Sequence, residues 1–441
     1  MQALASNLAL TLVLWAAAED RGAAEGQHFW PQWRGPLATG VAPYAQPPVV
    51  WGEGKNIRWK TALPGKGHST PIVWGERIFL TTAIPYGPAV RPGLPDRPGA
   101  HDNLSLTHHH EFVVLAVSRR DGKILWQQTV HKELPHEAGH VTGSLSSASP
   151  VTDGALLFAF FGSRGLYCLD TGGKLLWQKQ LGEMHSKHGH GEGSSPALHG
   201  DTLIVNWDHE AGSFIAAFDK RTGKERWKVA RPEDTSWATP IVVEHGGRVQ
   251  VVVSGTNRVR GYDLADGTVL WECGGLSSNV VASPVAADGI VYAGSSYDTR
   301  ALLAIRLDGA RGDITGSQQV LWSRQRGTPY VPSPLLYGGS LYTLQHYQGI
   351  ISRLDVKTGE NQGGPFRLAA IHSVYASPVG AAGRVYVTSR EGVTQVFTHA
   401  DPEPRMLAVN RLDDTFSASA ALVDRELLLR GERFLYCCAE E

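Results

Sequence analysis

The sequence predicts an all-β fold, a single eight-bladed β-propeller of four-stranded antiparallel blades. Three observations predict it. First, a motif of a small residue, Pro and an apolar stretch recurs along the chain. Second, each copy of this motif continues as short strands and turns. Third, the amino-acid composition is typical of such a fold. Of the 441 residues, 50 are Gly and 13 are Trp, whereas only three are Met. This composition is typical of many short strands and tight turns rather than of long helices.

The spacing of the motif sets the number of blades. Its prolines are Pro71, Pro150, Pro196, Pro240, Pro284, Pro334 and Pro378, and residues 417–420 form a degenerate eighth copy. From Pro150 onward the steps between copies are 46, 44, 44, 50, 44 and 42 residues, which is the length of a four-stranded propeller blade. The first step, 79 residues, is longer because residues 85–110 form an extended loop in blade one.

In the first four copies a glycine turn precedes a Trp by four residues, whereas copies six and seven have lost this Trp. The pairs are Gly122 and Trp126, Gly173 and Trp177, Gly223 and Trp227, and Gly267 and Trp271; blade five keeps Trp322 after a longer turn. A large ring at the same place in successive outer strands can bury a large area between neighbouring blades. The sequence therefore predicts a structural role for these tryptophans, in blade docking.

The eighth copy ends after three strands, which predicts how the ring closes. Residues 56–60 contain a Trp but follow no repeat motif. We expect them to supply the missing outer strand of blade eight, so that no sheet edge is left exposed between the two ends of the chain.

These motifs resemble a known repeat. The Ser-Pro motif, Asp-Gly turns, the Leu-Tyr-Cys-Leu-Asp stretch at 166–170, Thr-Gly-Lys at 222–224 and the Trp resemble the pyrroloquinoline quinone (PQQ) type repeat over residues 27–441. That repeat builds the eight-bladed propellers of quinoprotein alcohol dehydrogenases and of the outer-membrane assembly lipoprotein. The resemblance implies the scaffold, whereas function is decided by the sites that a scaffold carries.

The resemblance to quinoproteins also raises the question of a cofactor. Those dehydrogenases hold the quinone against a disulfide of adjacent cysteines, and Cys437 and Cys438 are adjacent. Their alignment with Tyr167–Leu169 places them inside a strand, where neighbouring side chains point to opposite faces. The sequence therefore predicts two buried thiols, and PQQ is not expected as a cofactor.

Composition and the N-terminus bear on location and partners. The 41 Lys+Arg and 42 Asp+Glu residues give a net charge of −1, which argues against a nucleic-acid partner. The apolar stretch at residues 8–18 is too short to span a bilayer but fits a leader over residues 1–26. Met1–Asn7 contains no Lys or Arg, which is unusual for a signal peptide. We expect a periplasmic or secreted protein without a transmembrane segment or lipid-anchor Cys; a cytoplasmic location is the alternative.

Histidines are the main anomaly of the sequence, since twelve of 18 fall between His101 and His209. In a propeller, the blade-to-blade connections and the loops between second and third strands emerge on the same face. The blade order therefore predicts that most of these residues share one sector of that loop-rich face. The residues of this candidate functional face are His101, His108, His109, His110, His136, His140, His185 and Glu210.

A metal site is one interpretation of this sector. In an extended backbone His188, His190 and Glu192 would point to one side, and Asp208 and His209 from the adjacent loop could complete a shell for zinc or another divalent ion. The alternative is that these histidines only hydrogen-bond neighbouring loops. Glycines between the ligands free the backbone from extended geometry, which favours that alternative.

Two functions follow from these features. The first is an exported, non-catalytic propeller that binds an unknown protein or another macromolecule through its loop-rich face. The second is a metal-dependent or oxidoreductase-like enzyme whose site lies on the His-rich face of blades one to three. No Gly-x-Ser-x-Gly, P-loop or His-Glu-x-x-His motif is present in the sequence to favour the enzyme.

Overall fold

The computed structural model describes residues 24–91, 99–399 and 403–440, so the leader predicted for residues 1–26 lies almost wholly outside the described residues. Within them, eight sheets, antiparallel except for one short added strand, are arranged in a ring, and the first strands of most neighbouring sheets are in contact. The predicted eight-bladed propeller is confirmed. Among the described residues no helix has the length and apolar character that crossing a bilayer requires.

The strands of each blade follow one another from the centre of the ring to its rim. Blade one comprises Ile72–Trp74, Arg77–Tyr86, His109–Ser118 and Ile124–Glu133; blade two Val151–Thr152, Leu156–Phe160, Leu166–Asp170 and Leu175–Lys179; blade three Ala197–His199, Thr202–Trp207, Phe214–Asp219 and Glu225–Ala230; and blade four Ile241–His245, Arg248–Ser254, Arg258–Asp263 and Val269–Gly274. Blade five comprises Val285–Ala287, Ile290–Ser296, Arg300–Arg306 and Val320–Arg324; blade six Leu335–Tyr337, Ser340–Leu344, Ile350–Asp355 and Phe366–Arg367; and blade seven Val379–Ala381, Arg384–Thr388, Val393–Thr398 and Met406–Arg411.

Blade eight joins the two ends of the chain, as predicted. Its strands are Ala421–Val423, Glu426–Arg430, Phe434–Ala439 and the N-terminal Ile57–Ala62, which pairs antiparallel with Phe434–Ala439. A buried ion pair then links this blade to blade one, because Nε of Arg119 lies 2.6 Å from Oε2 of Glu426. Closure therefore depends on both a shared sheet and a charged contact.

Burial follows the position of each strand within its blade. The second strand of blade three, Thr202–Trp207, is buried along its whole length because neighbouring blades cover both of its faces. The outer strand Leu175–Lys179 instead alternates between half-buried and exposed side chains, since only one face packs against a blade. The core consequently lies between the blades, around the middle strands.

The repeat motif forms a girdle of hydrogen bonds at the inner edge of the ring. In blades one to seven the residue before Pro donates its backbone N–H to the hydroxyl of the equivalent residue in the next blade. The donor and acceptor pairs are Thr70–Ser149, Ser149–Ser195, Ser195–Thr239, Thr239–Ser283, Ser283–Ser333, Ser333–Ser377 and Ser377–Ser419, at 2.9–3.0 Å. The hydroxyl of Thr70 has no hydrogen-bond partner among the described residues.

The predicted role of the repeated tryptophans is confirmed at most positions. The indole N–H of Trp126 donates to the carbonyl oxygen of Thr171 in the next blade, and its ring covers the turn glycine Gly173. Trp59, Trp177, Trp227 and Trp322 make the same contact with the following blade. Trp271 differs, since its N–H donates to Gln250 of its own blade.

An insertion in blade five explains the difference at Trp271. The long turn before Trp322 contributes Gly312–Asp313, a two-residue fifth strand that pairs in parallel with Val269–Gly274 of blade four. This extra strand pairs along the outer edge of blade four. In most other blades the Trp of that outer strand contacts the following blade. Blade four is therefore five-stranded, which the repeat pattern did not predict.

The loop of blade one is also shorter than predicted. Its second and third strands extend to Tyr86 and from His109, with Pro85 paired to His110. His109 and His110 thus belong to a strand. The connection between the two strands begins at residue 87 and ends at residue 108, and residues 92–98 are not among the described residues.

Residues 30–51 close the face opposite the loop-rich face. Trp30 pairs with Val73 of blade one, whereas the guanidinium of Arg34 donates to the carbonyl oxygens of Pro334 and Pro378 in blades six and seven. Between them, the indole N–H of Trp33 donates to Ser283 of blade five. This segment therefore crosses the channel, and Trp33 contributes to the cavities on both of its sides.

Candidate functional site

A cavity of about 560 Å³ opens at the centre of the loop-rich face, with Trp33 at its base. Connections between blades and loops between second and third strands supply most of its lining. One wall carries histidines from blades one to three, and the opposite wall carries tyrosines from blades five to seven. These are the histidine wall and the tyrosine wall.

The histidine wall is built from His101, His140 and His190, and the ring of His188 packs against it. The ring centre of His190 lies 4.8 Å from that of His101, 5.0 Å from that of His140 and 5.4 Å from that of His188. Backbone hydrogen bonds hold the loops together: the N–H of His140 donates to His190, and the N–H of Val141 to Asp102. Loops of different blades thus bring His101, His140, His188 and His190 together.

Burial disfavours the charged form of two histidines in this wall. Burial, reinforced by the nearby His140 and His101 rings, lowers the pKa of His190 to about 4, and burial also lowers the pKa of His140. The Nδ1 atom of His140 accepts a hydrogen bond from the N–H of Thr142 at 3.2 Å. Nε2 of His190 is buried and makes no hydrogen bond within the described part of the chain.

The tyrosine wall was not predicted. Tyr330 stacks against Tyr297 with ring centres 6.0 Å apart and against His346 at 4.6 Å, and Tyr347 stacks against Tyr375 at 6.0 Å. Tyr297 and Tyr347 are 46% and 39% exposed, so their rings meet solvent at the rim. These tyrosines lie in the blade connections and second-to-third-strand loops of blades five to seven, which are equivalent to those that carry the histidines in blades one to three. The repeat spacing therefore also predicts that they lie on the loop-rich face.

Cations support the tyrosine wall from behind. The guanidinium of Arg390 lies 5.0 Å from the ring centre of Tyr375, and Nζ of Lys187 lies 5.8 Å from that of Tyr297. Cation–π attraction of this kind holds the rings in place. The tyrosine wall is thus an aromatic surface that faces the histidine wall.

The structure does not bring the five predicted metal ligands together. Residues 187–189 form a 3₁₀ turn in which His188 has a φ of 56°, so the backbone is not extended and Glu192 does not point with the histidines. The carboxylate of Glu192 accepts hydrogen bonds from Ser163 and from Nη1 of Arg164, the latter at 3.1 Å. The backbone prediction for this segment is therefore wrong.

Asp208 and His209 are likewise occupied by other contacts. Asp208 is fully buried and accepts two hydrogen bonds from the guanidinium of Arg231, at 2.7 and 3.0 Å. Nδ1 of His209 accepts the backbone N–H of His185. Asp208 thus neutralises Arg231, as Glu192 pairs with Arg164, and this need for charge pairing inside the ring was not visible in the sequence.

The other residues predicted for the face lie around the cavity rather than inside it. His109 packs on Tyr86, His108 contacts Thr107, and burial lowers the pKa of His110. The carboxylate of Glu210 accepts hydrogen bonds from Thr235. Among the described residues, the group whose ligand atoms lie close enough to hold a metal ion is His136, Glu137 and His185.

The quinone site of the resembled dehydrogenases does not fit this structure. Cys437 and Cys438 are free thiols, buried inside Phe434–Ala439, and they are not among the residues that line the cavity. Burial raises the pKa of Cys437 to about 12, so the thiol is inert at neutral pH. The predicted strand position of both cysteines is confirmed.

Comparison with known proteins places the chain among similar propellers. The family model described as outer membrane protein assembly factor BamB matches residues 110–362 and 211–410, which together cover more than half of the chain. No curated protein matches the sequence.

Solved structures share the fold at low sequence identity. BamB from Moraxella catarrhalis is 14% identical, with a TM-score of 0.56 over 86% of this chain and 98% of that chain. The quinohemoprotein alcohol dehydrogenase ADHIIG from Pseudomonas putida HK5 is 11% identical, with a TM-score of 0.55 over 94% of this chain and 80% of that chain. The designed protein Ika8 is also 11% identical, with a TM-score of 0.53 over 77% of this chain and 98% of that chain. At these identities the similarity concerns the fold alone.

Proposed function

The chain belongs to the outer membrane protein assembly factor BamB family of repeat propellers, and on this premise we propose that it is an exported, non-catalytic binding protein. Its binding surface is the loop-rich face, and its partner is a protein or another macromolecule. The observation that carries this proposal is the cavity between the histidine and tyrosine walls, with two exposed tyrosines at its rim.

The chemistry of the cavity supports binding of an uncharged, partly apolar group. The neighbouring imidazoles of His140 and His190 are neutral at pH 7, and aromatic rings form the opposite wall. Aromatic side chains give a large contact area at a small cost in side-chain entropy, which is why they are enriched at binding sites. A projecting loop or side chain of the partner would enter the cavity, and the rim tyrosines would contact the part of the partner that stays outside it.

Site-specific photo-crosslinking tests the proposed face. A photoreactive amino acid at Tyr347 should form a defined crosslinked product in the producing cells. The matched control places it at Leu176, which is 44% exposed on the outer strand of blade two. The purified partner should then bind at least tenfold more weakly to a Tyr297→Ala, Tyr347→Ala double variant. A product formed equally well from Leu176, or unchanged affinity of the double variant, would contradict the proposal.

Export is a separate part of the proposal and has its own test. The apolar stretch at residues 8–18 and the small residues Ala16–Ala18 support it. Mass spectrometry of the chain recovered from its native host should show a new N-terminus near residue 19, in the periplasmic or secreted fraction. An intact Met1 and recovery with the cytoplasm would instead support the cytoplasmic alternative.

A further inference from the structure

We infer that His136, Glu137 and His185 bind one divalent transition-metal ion, with Zn²⁺ as its representative. One ligand atom from each residue lies within 4.8 Å of the other two. The site combines the connection between blades one and two with that between blades two and three. The site shares no residue with the five-residue shell predicted from the sequence. Metal binding here does not depend on the proposed binding function.

His136 has the hydrogen bonding typical of a metal ligand. Its Nε2 donates to the carbonyl oxygen of Met184 at 2.7 Å, which leaves the Nδ1 lone pair for coordination. Metal-binding histidines usually donate their second ring N–H to a backbone carbonyl or carboxylate in this way. Nη2 of Arg164 lies 3.5 Å from Nδ1, a long contact that a metal ion would replace.

Glu137 and His185 already have nearly the required spacing. The carboxylate of Glu137 is 3% exposed, and its Oε2 accepts hydrogen bonds from the N–H and the hydroxyl of Ser186, at 3.1 and 2.8 Å. Its Oε1 lies 3.7 Å from Nδ1 of His185. Ligands about 2.1 Å from a tetrahedral zinc ion are about 3.4 Å apart, so small side-chain rotations complete the geometry.

Other carboxylates engage the neighbouring arginine. The guanidinium of Arg164 contacts the carboxylates of Glu133 and Glu192, at 2.7 and 3.1 Å, and approaches the backbone carbonyl oxygen of Glu137 at 3.4 Å. The Glu137 carboxylate itself is held by Ser186 and faces His185. Coordination to a metal is one of the ordinary roles of a buried carboxylate.

The site also has access for the ion and space for water. The side chain of His185 is 36% exposed, which provides an entry path. A small cavity of about 30 Å³, lined by Glu137, Asp208 and His209 among others, adjoins the Glu137 ligand and is large enough for a water molecule. Two imidazoles and one carboxylate with water in the remaining position form an open zinc site.

Calorimetry on the full, chelator-stripped chain tests the inference. Titration with ZnCl₂ should show saturable binding of one ion per chain, and Co²⁺ should give the visible absorption of a tetrahedral site. His185→Ala removes an accessible ligand and should weaken Zn²⁺ binding at least tenfold. Glu137→Gln, which keeps the shape of the side chain, should do the same and serves as the second variant if His185→Ala does not fold.

Two control variants make the outcome specific. His199 is 34% exposed and lies 3.4 Å from Glu244 on the opposite face, so His199→Ala should leave binding unchanged. His188→Ala should also leave it unchanged, because His188 is not part of the group formed by His136, Glu137 and His185. The inference is overturned if the wild-type chain shows no saturable Zn²⁺ binding. It is equally overturned if folded His185→Ala and Glu137→Gln variants bind normally, or if His188→Ala alone abolishes binding.

Discussion

The backbone N–H of Ser195 donates to the hydroxyl of Thr239 at 3.0 Å, and this bond joins the inner edges of blades three and four. The same relation recurs between most neighbouring blades, which explains why a Ser or Thr precedes the motif's Pro. At Thr70 the hydroxyl lacks such a donor among the described residues. The ring thus contains two equivalent threonine hydroxyls, of which that of Thr239 accepts a hydrogen bond and that of Thr70 does not.

This contrast predicts different effects of one substitution. Thr239→Val leaves the buried N–H of Ser195 without an acceptor and should lower the free energy of unfolding by about 1–3 kcal/mol. Thr70→Val removes a hydroxyl that accepts no hydrogen bond and should change it by less than about 0.5 kcal/mol, or raise it. Chemical denaturation of both variants measures the difference. Equal losses would show that the girdle contributes nothing to stability.

The Trp docking contact predicts a second pair of variants. At Gly173, with a φ of 94°, an added Cβ would lie 2.7 Å from the Trp126 ring, whereas at Gly200, with a φ of 52°, no atom lies within 4 Å. Gly173→Ala should therefore lower the free energy of unfolding by about 2–4 kcal/mol, from overpacking and backbone strain together. Gly200→Ala carries only the strain, about 1–2 kcal/mol. Thermal unfolding that fails to separate them would contradict the docking role.

The fold could be predicted from the sequence because the same motif recurs eight times, so that an unclear strand in one copy is identified from the others. Eight copies of one motif predicted the blades, the closing strand at Ile57–Ala62 and the strand position of Cys437 and Cys438. The site was predicted only at the level of a sector. Its details depend on the backbone turn at His188 and on the pairing of Glu192 and Asp208 with buried arginines. Those contacts join segments from different blades, and side-chain spacing along the chain does not reveal them.

Ring closure predicts the effect of truncation. Deletion of residues 27–61 removes the outer strand of blade eight, the indole contact of Trp59 with Arg119 and the Trp33 side chain that closes the cavity. The open ring exposes a sheet edge and should aggregate. Deletion of residues 1–18 should not affect folding. Size-exclusion chromatography and thermal unfolding compare the two. A monomeric product of the larger deletion, unfolding at the wild-type temperature, would disprove closure by the shared blade.

Buried histidines predict a loss of stability in acid. The pKa of His190 is lowered from 6.5 to about 4, mainly by burial, so the unfolded chain binds a proton more readily than the folded chain. The stabilising contribution is complete above about pH 6.5 and is lost as the pH falls towards 4. Allowing for partial exposure, we expect about 1–2 kcal/mol from this residue. His190→Gln should reduce the pH dependence of unfolding between pH 7 and 4, whereas an unchanged slope would assign it to other groups.

The position of the adjacent cysteines predicts the response to PQQ. Cys437 and Cys438 are buried in a strand of blade eight and point to opposite faces, so they cannot form the quinone-holding disulfide at the cavity without breaking that strand. Reconstitution of the purified chain with PQQ and calcium should therefore give no alcohol oxidation above the blank in a dye-reduction assay. A quinoprotein alcohol dehydrogenase treated in parallel serves as the positive control. Turnover by this chain at a comparable rate would show that the cavity holds the quinone by other groups and would restore the enzymatic alternative.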